Sequence, residues 1–233
     1  MEIKIWSDVR CPFCYIGKRK FEAALEKFEY KDKVKVVWKS FQLDPNLKTD
    51  TSASTLDYFV KTKGVSEAQA RQMFNGAQNM ANEVGIDLNI EEGVPANSFM
   101  AHRLIQMAKS NGLGNEIEEA LFKAHFEDAK NIDDIPELVK IATSIGMDGE
   151  KVMETLESDA FAYDVKQDEM EARNIGVRGV PFFVFDNKYA ISGAQPTEAF
   201  LETLDKAWEG YNNTLPTLEV SKGDSCNTDG NCD

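Results

Sequence analysis

The stretch Glu2-Ile3-Lys4-Ile5-Trp6-Ser7-Asp8-Val9-Arg10-Cys11-Pro12-Phe13-Cys14 decides the reading of this chain. Residues 2–6 read as a strand, and from Ile16 to Phe28 the chain reads as a helix. Gly17, Phe21, Ala24, Leu25 and Phe28 recur there at helical spacing. Cys11 and Cys14 stand at the junction, where two cysteines separated by two residues are placed to exchange a disulfide. Pro12 suits the first helical position, because its missing N–H would have no partner there and its φ is already helical. Cys11 is then the N-cap, with its sulfur over the free amides of the first turn, whose positive field favours a thiolate. Cys11 is expected to be the attacking sulfur and Cys14, more shielded, the resolving one. A zinc half-site and two inert core cysteines are the other readings. Structural zinc wants four ligands, and beyond this pair the chain offers only His102, His125 and two cysteines near its far end. Redox chemistry is favoured, and no metal is expected.

With 233 residues, the chain is long enough for one large domain or a smaller one carrying an insertion. Hydrophobic residues at 42% and charged ones at 28% fit a soluble globular protein. No apolar run approaches the ~20 residues of a membrane helix. The first strand begins at residue 2 without a signal peptide, so a cytoplasmic location is expected, with no membrane partner. In that reducing compartment a cysteine pair is more often catalytic or metal-binding than structural. A net charge of −14 argues against nucleic acid as partner.

Val34, Val36 and Trp38 read as a second strand running into Phe41, so the chain opens with a parallel βαβ unit. Pro45 to Thr55 is polar and turn-rich, and the chain beyond it is almost wholly helical. Ser66 with Gln69 forms a capping box, and Gly85 stops the helix it starts. A helix from about Asn97 to Ser110 ends at Gly112 and Gly114, and another carries Ile117, Ala120, Leu121 and Ala124. Asp134, Asp148 and Asp159 are expected caps of further helices. Strand signals return at Pro181–Phe185; Asp186-Asn187 is a turn, Tyr189–Ile191 the returning strand, and Pro196 opens a last helix. The order is β-α-β, helical block, β-β-α, which without the block matches a thioredoxin fold. The expected divisions are residues 1–44 and 161–211 for the two parts of that fold, 45–160 for a helical insertion and 212–233 for an extension.

A proline at the mouth of a core strand, as in Gly179-Val180-Pro181, is awkward unless the local backbone is special. In thioredoxin-like folds this proline is cis and faces the reactive cysteines; the alternative is a trans proline starting an edge strand. Cys226 and Cys232 flank five residues in a turn-rich acidic tail, and are read as a second redox pair or as two exposed thiols. His102 sits beside the apolar face of its helix, either lining the active-site cleft or packed in the core. His125 reads as structural or surface.

The motifs Ser7–Cys14, Phe41-Gln42-Leu43-Asp44-Pro45, Asn97–Leu104, Gly179–Phe183 and Ser192–Pro196 together resemble the DsbA-type thioredoxin-fold oxidoreductases. The resemblance covers about residues 1–210 and is strongest to the FrnE-like subgroup. That subgroup also resembles the 2-hydroxychromene-2-carboxylate isomerases and kappa-class glutathione transferases. The resemblance implies an α/β thioredoxin fold with a large all-helical domain between the βαβ and ββα units. It implies a dithiol–disulfide oxidoreductase with Cys11 as nucleophile, Cys14 as resolving thiol and Pro181 as cis-proline. Pro12, Phe13 and Val180 would support the site, Phe41, Asn97 and His102 would line its cleft, and Cys226 and Cys232 would form a second pair. No cofactor is required, with glutathione a conceivable co-substrate. The partners would be protein disulfides or dithiols, or small thiols. The alternative is a glutathione-dependent isomerase or transferase, whose members usually have serine where Cys11 stands. Phe13 replaces the histidine of the periplasmic DsbA enzymes and cannot donate a charged hydrogen bond, which implies a potential below their roughly −120 mV.

Overall fold

The computed structural model describes residues 1–212, so the expected second pair, Cys226 and Cys232, lies outside the described residues. A four-stranded sheet organises the molecule. β1 (Glu2–Ser7) leads through α1 (Pro12–Lys27) into β2 (Lys35–Ser40), which pairs in parallel with β1 from Glu2↔Lys35 to Ser7↔Ser40. β3 (Phe182–Phe185) runs antiparallel to β1 with Trp6 opposite Phe182, and β4 (Tyr189–Ser192) runs antiparallel to β3. The sheet order is β2-β1-β3-β4, and α9 (Thr197–Asn212) packs against α1. Between β2 and β3 lie α2 (Thr55–Lys63), α3 (Glu67–Asn82), α4 (Phe99–Ser110), α5 (Gly114–Phe126), α6 (Ile135–Ser144), α7 (Gly149–Glu157) and α8 (Ala162–Ile175). The architecture is a thioredoxin fold carrying a large helical insertion.

Burial on both sides of the sheet explains its apolar strands. Ile3, Ile5, Phe183 and Phe185 are fully buried on the face covered by α1 and α9, where Phe21 meets Phe183, Phe185 and Phe200. Trp6 turns to the opposite face and packs with Ala172 and Val177 on the α8 side. The β3–β4 turn places Asp186 and Asn187 at φ +50 and +53, the mirror-image turn that suits the twist of a hairpin.

Most expected caps have formed. Ser66 and Gln69 exchange side-chain bonds with each other's backbone amides, Asp134 accepts from the Glu137 amide, and Asp148 from those of Glu150 and Lys151. Two expectations need correction. Gly114 begins α5 instead of ending the preceding helix. Asp159 is not a cap: Phe161, at φ +61, stands at the N-cap of α8. The reason is Arg103, which is buried on α4 and donates to the carbonyls of Thr155, Leu156, Ser158 and Ala160. This fork gathers the C-terminal end of α7 and fixes the turn into α8, favoured by the negative end of the α7 dipole.

Candidate active site

The turn after β1 is closed by backbone bonds. The Cys11 amide donates to the Asp8 carbonyl at 2.9 Å and the Cys14 amide to the Cys11 carbonyl at 2.9 Å. Cys11 is the N-cap of α1, in extended conformation, with Pro12 in the first turn. Its sulfur makes no capping bond to the helix amides, contrary to expectation. It lies 3.5 Å from the Val180 carbonyl, to which the S–H donates. The sulfur therefore faces the loop before β3, where the Val180–Pro181 peptide is cis. Cys11 and Cys14 are both free thiols, 5% and 1% exposed, while Phe13 between them is 40% exposed. Burial, then the hydrogen bond to Cys11 and its charge, push the Cys14 thiol well above its ordinary range.

Gly17 lets α1 press on this loop. A Cβ there would lie 3.0 Å from the Pro181 ring and 3.6 Å from the Ala194 backbone, a close approach on which the loop depends. Gly17→Ala is expected to cost about 1–3 kcal/mol in urea unfolding, because overpacking outweighs the gain in helix propensity. A neutral or stabilising result would show that the loop yields freely.

Beneath the turn lies a buried charged group. Asp8 accepts from the Leu43 amide at 2.8 Å and the Arg10 amide at 3.2 Å. His102 Nε2 stands 3.5 Å from Asp8 Oδ1, an ion contact longer than a well-formed hydrogen bond. Burial opposes charge on both, yet their mutual attraction prevails, holding Asp8 below its ordinary range and His102 above it. Glu118 is 1% exposed, and its Oε2 has no hydrogen-bond partner among the described residues. Burial pushes its carboxyl up to about 7 against the opposing pull of His102, Lys18 and Lys109. Such a raised carboxyl holds its proton in the folded chain where the unfolded chain has lost it. Its contribution is intact below 4.5 and falls as pH rises toward 7, by about 3 kcal/mol in all. Glu118→Gln is expected to be about 2–3 kcal/mol more stable than the parent near pH 8 and no more stable at pH 4.5, by urea melts. An equal difference at both pH values would sink this reading.

A cavity of about 540 Å³ opens beside Cys11, between the head of α1 and helices α2 and α3. Arg10, Cys11, Pro12, Phe13 and His125 line it. The three residues expected to line the cleft do so nowhere in this cavity. His102 is wholly buried against Asp8. Phe41 packs with Trp6 on the α8 side of the sheet, and the Asn97 side-chain amide donates to the Pro45 and Leu47 carbonyls beside a separate groove. His125, expected to be structural or on the surface, is the histidine that reaches the cavity. Asp8 and Arg10 lie within the Ser7–Cys14 motif, which assigns neither a role, and Glu118 carries no signal beyond its residue type. Among the described residues, no group of three or more His, Cys, Asp or Glu is placed to hold a metal ion. No described helix is long and apolar enough to cross a membrane.

The model of the DSBA-like thioredoxin domain matches residues 2–205. The uncharacterized protein YwbO of Bacillus subtilis (strain 168) is 29% identical over 208 residues, 88% of this chain and 96% of that one. The crystal structure of a probable DsbA oxidoreductase from Streptomyces coelicolor superposes with a TM-score of 0.86 at 35% identity, covering 100% of this chain and 98% of that one. The cytosolic disulfide reductase DsbM from Pseudomonas aeruginosa shares the fold, with a TM-score of 0.60 at 16% identity over 91% of this chain and 98% of its own. With a βαβ–insertion–ββα topology and a family match spanning nearly the whole described chain, this protein belongs to the DSBA-like thioredoxin domain family.

Proposed function

We propose that this chain is a dithiol–disulfide oxidoreductase of the FrnE-like subgroup, with Cys11 as nucleophile and Cys14 as resolving thiol. The observation that carries the reading is the pairing of Cys11 Sγ with the Val180 carbonyl, across from the cis Val180–Pro181 peptide and beside an open cavity. The Cys11 thiolate attacks one sulfur of a substrate disulfide, and the other substrate sulfur leaves as a thiolate. Cys14 then loses its proton and attacks Cys11 Sγ, releasing the second substrate thiolate. Two electrons pass from the dithiol to the substrate, and a Cys11–Cys14 disulfide remains; the reverse sequence oxidises a dithiol. The raised Cys14 thiol suits the second role, since it stays protonated until the mixed disulfide has discharged Cys11. The protein needs no resident cofactor in this scheme. Its partners are disulfide- or dithiol-bearing molecules, and its place is the cytoplasm, the compartment of the cytosolic disulfide reductase DsbM.

Trapping tests the order of roles. Cys14→Ser, mixed with a disulfide substrate, is expected to accumulate a covalent adduct on Cys11 that intact mass spectrometry detects and dithiothreitol removes. A parent that turns over while Cys14→Ser forms no adduct would reverse the assignment.

A further inference from the structure

We propose that the cavity beside Cys11 selects small disulfides with an aromatic or other apolar body and one acid group, the acid meeting Arg10. This rests on the reading of Cys11 as the attacking thiol and names the substrate class of that same site. At about 540 Å³ the cavity falls within the size range of small-molecule sites. Its walls are apolar, with Phe59, Phe74, Met80, Ile90, Val94 and Phe126 among them. Two of the polar side chains on those walls are already committed. Thr55 Oγ1 donates to the Gly93 carbonyl at 2.8 Å, and the Tyr58 hydroxyl to Asp44 Oδ2 at 3.2 Å.

One charged group remains for an occupant. The Arg10 guanidinium lies 5.8 Å from the centre of the Tyr58 ring and forms no contact ion pair with any described residue. His125 also lines the cavity but is 7% exposed, and its Nδ1 is buried out of reach of an occupant. Burial, with the Arg10 charge second, pushes the His125 imidazole down to about 4. At neutral pH His125 is therefore uncharged, and the site presents one cation, Arg10.

This inventory disfavours the two commoner substrates. A polypeptide threaded into the cavity would bring amides and carbonyls that such walls leave unpaired. Each half of glutathione disulfide brings two carboxylates and an ammonium, against a single cation in the cavity. An aryl disulfide with one carboxylate per ring satisfies Arg10 and leaves only apolar surface to bury.

The test uses the full chain, reduced beforehand, in single-turnover mixing with four probes. These are dithiobis(nitrobenzoate), aromatic with carboxylates; dithiodipyridine, aromatic and uncharged; glutathione disulfide; and bis(2-hydroxyethyl) disulfide. Each rate is divided by that of dithiothreitol with the same probe, which cancels the probe's intrinsic reactivity. Dithiobis(nitrobenzoate) is expected to exceed glutathione disulfide and bis(2-hydroxyethyl) disulfide by at least about tenfold on this scale. Arg10→Gln is expected to slow dithiobis(nitrobenzoate) at least about fivefold more than dithiodipyridine, a ratio that removes any effect of Arg10 on the Cys11 sulfur itself. Gly76 lines the cavity on α3, and a Cβ there meets nothing within 4 Å. Gly76→Trp is accordingly expected to cut both aryl rates by about tenfold relative to bis(2-hydroxyethyl) disulfide, in a helix that gains propensity. Equal normalised rates for all probes, or glutathione disulfide fastest, would overturn the substrate class while leaving Cys11 as nucleophile. Equal slowing of both aryl probes by Arg10→Gln would overturn the acid-group assignment. Failure of the parent to react with any probe would overturn the reading of Cys11 itself.

Discussion

Cys11→Ser is expected to lower insulin-disulfide reduction at least about a thousandfold and to leave the fold intact. Two different physical quantities separate in this one substitution. A serine hydroxyl is far too weak an acid to supply an anion at neutral pH, and no other described cysteine except Cys14 stands at the site. Cys14 is no substitute, because burial holds its thiol protonated and it is 1% exposed. Stability is another matter. Serine is slightly smaller than cysteine and donates to the same Val180 carbonyl that Cys11 Sγ faces at 3.5 Å. The unfolding free energy is therefore expected to change by no more than about 1 kcal/mol. Insulin turbidity for activity and urea melts for stability read the two effects separately. A variant retaining a tenth of the parent rate would remove Cys11 from the chemistry. A variant that unfolds would make the sulfur a packing group.

How much of this is legible in the sequence depends on whether a feature is local. Pro12 behind Cys11 marks where α1 starts, Ser66 and Gln69 mark α3, and Asp186-Asn187 marks the hairpin, each through bonds among residues a few positions apart. The strand order follows once the reactive turn is placed between β1 and α1. The charged group under that turn is hidden for the opposite reason. Helical spacing tells which face of α4 is buried and puts His102 beside that face, but spacing says nothing of Asp8 on the other side. Glu118 sits on the buried face of α5 with Leu121, Phe122 and His125, and shows as perturbed only when that burial is known. His125 reads as remote from the site because its own helix gives no hint that α2 and α3 leave a cavity in front of it. Gly17 reads as part of an apolar stripe; its close approach to Pro181 belongs to tertiary packing alone.

Asp168→Ala is expected to cost about 3–5 kcal/mol, as much as emptying an aromatic core position. Asp168 sits on α8, 4% exposed, and its carboxylate ties three elements together. Oδ1 accepts from Lys39 Nζ at 2.7 Å; Oδ2 accepts from the Ser40 amide at 3.0 Å and Gln106 Nε2 at 2.6 Å, with Lys109 Nζ 3.5 Å away. Its backbone carbonyl also takes the Trp6 indole N–H at 3.0 Å, a bond the substitution leaves in place. Removing the carboxylate leaves Lys39 with Glu171 at 2.9 Å, but it strips the buried Ser40 amide and Gln106 of an acceptor. Lys109, whose ammonium burial already disfavours, loses its main counter-charge. Leaving charges and amides unpaired is what makes the breakage costly; the intact pairs contribute much less in net terms. Asp168→Asn separates these contributions, since it keeps the volume and one acceptor oxygen while deleting the charge. Its loss is expected to fall between zero and that of alanine. Urea midpoints at unchanged m-value read both losses, and an alanine variant within about 1 kcal/mol of the parent would mean that α8 is held to β2 by apolar packing around Trp6, Ala172 and Val177 alone.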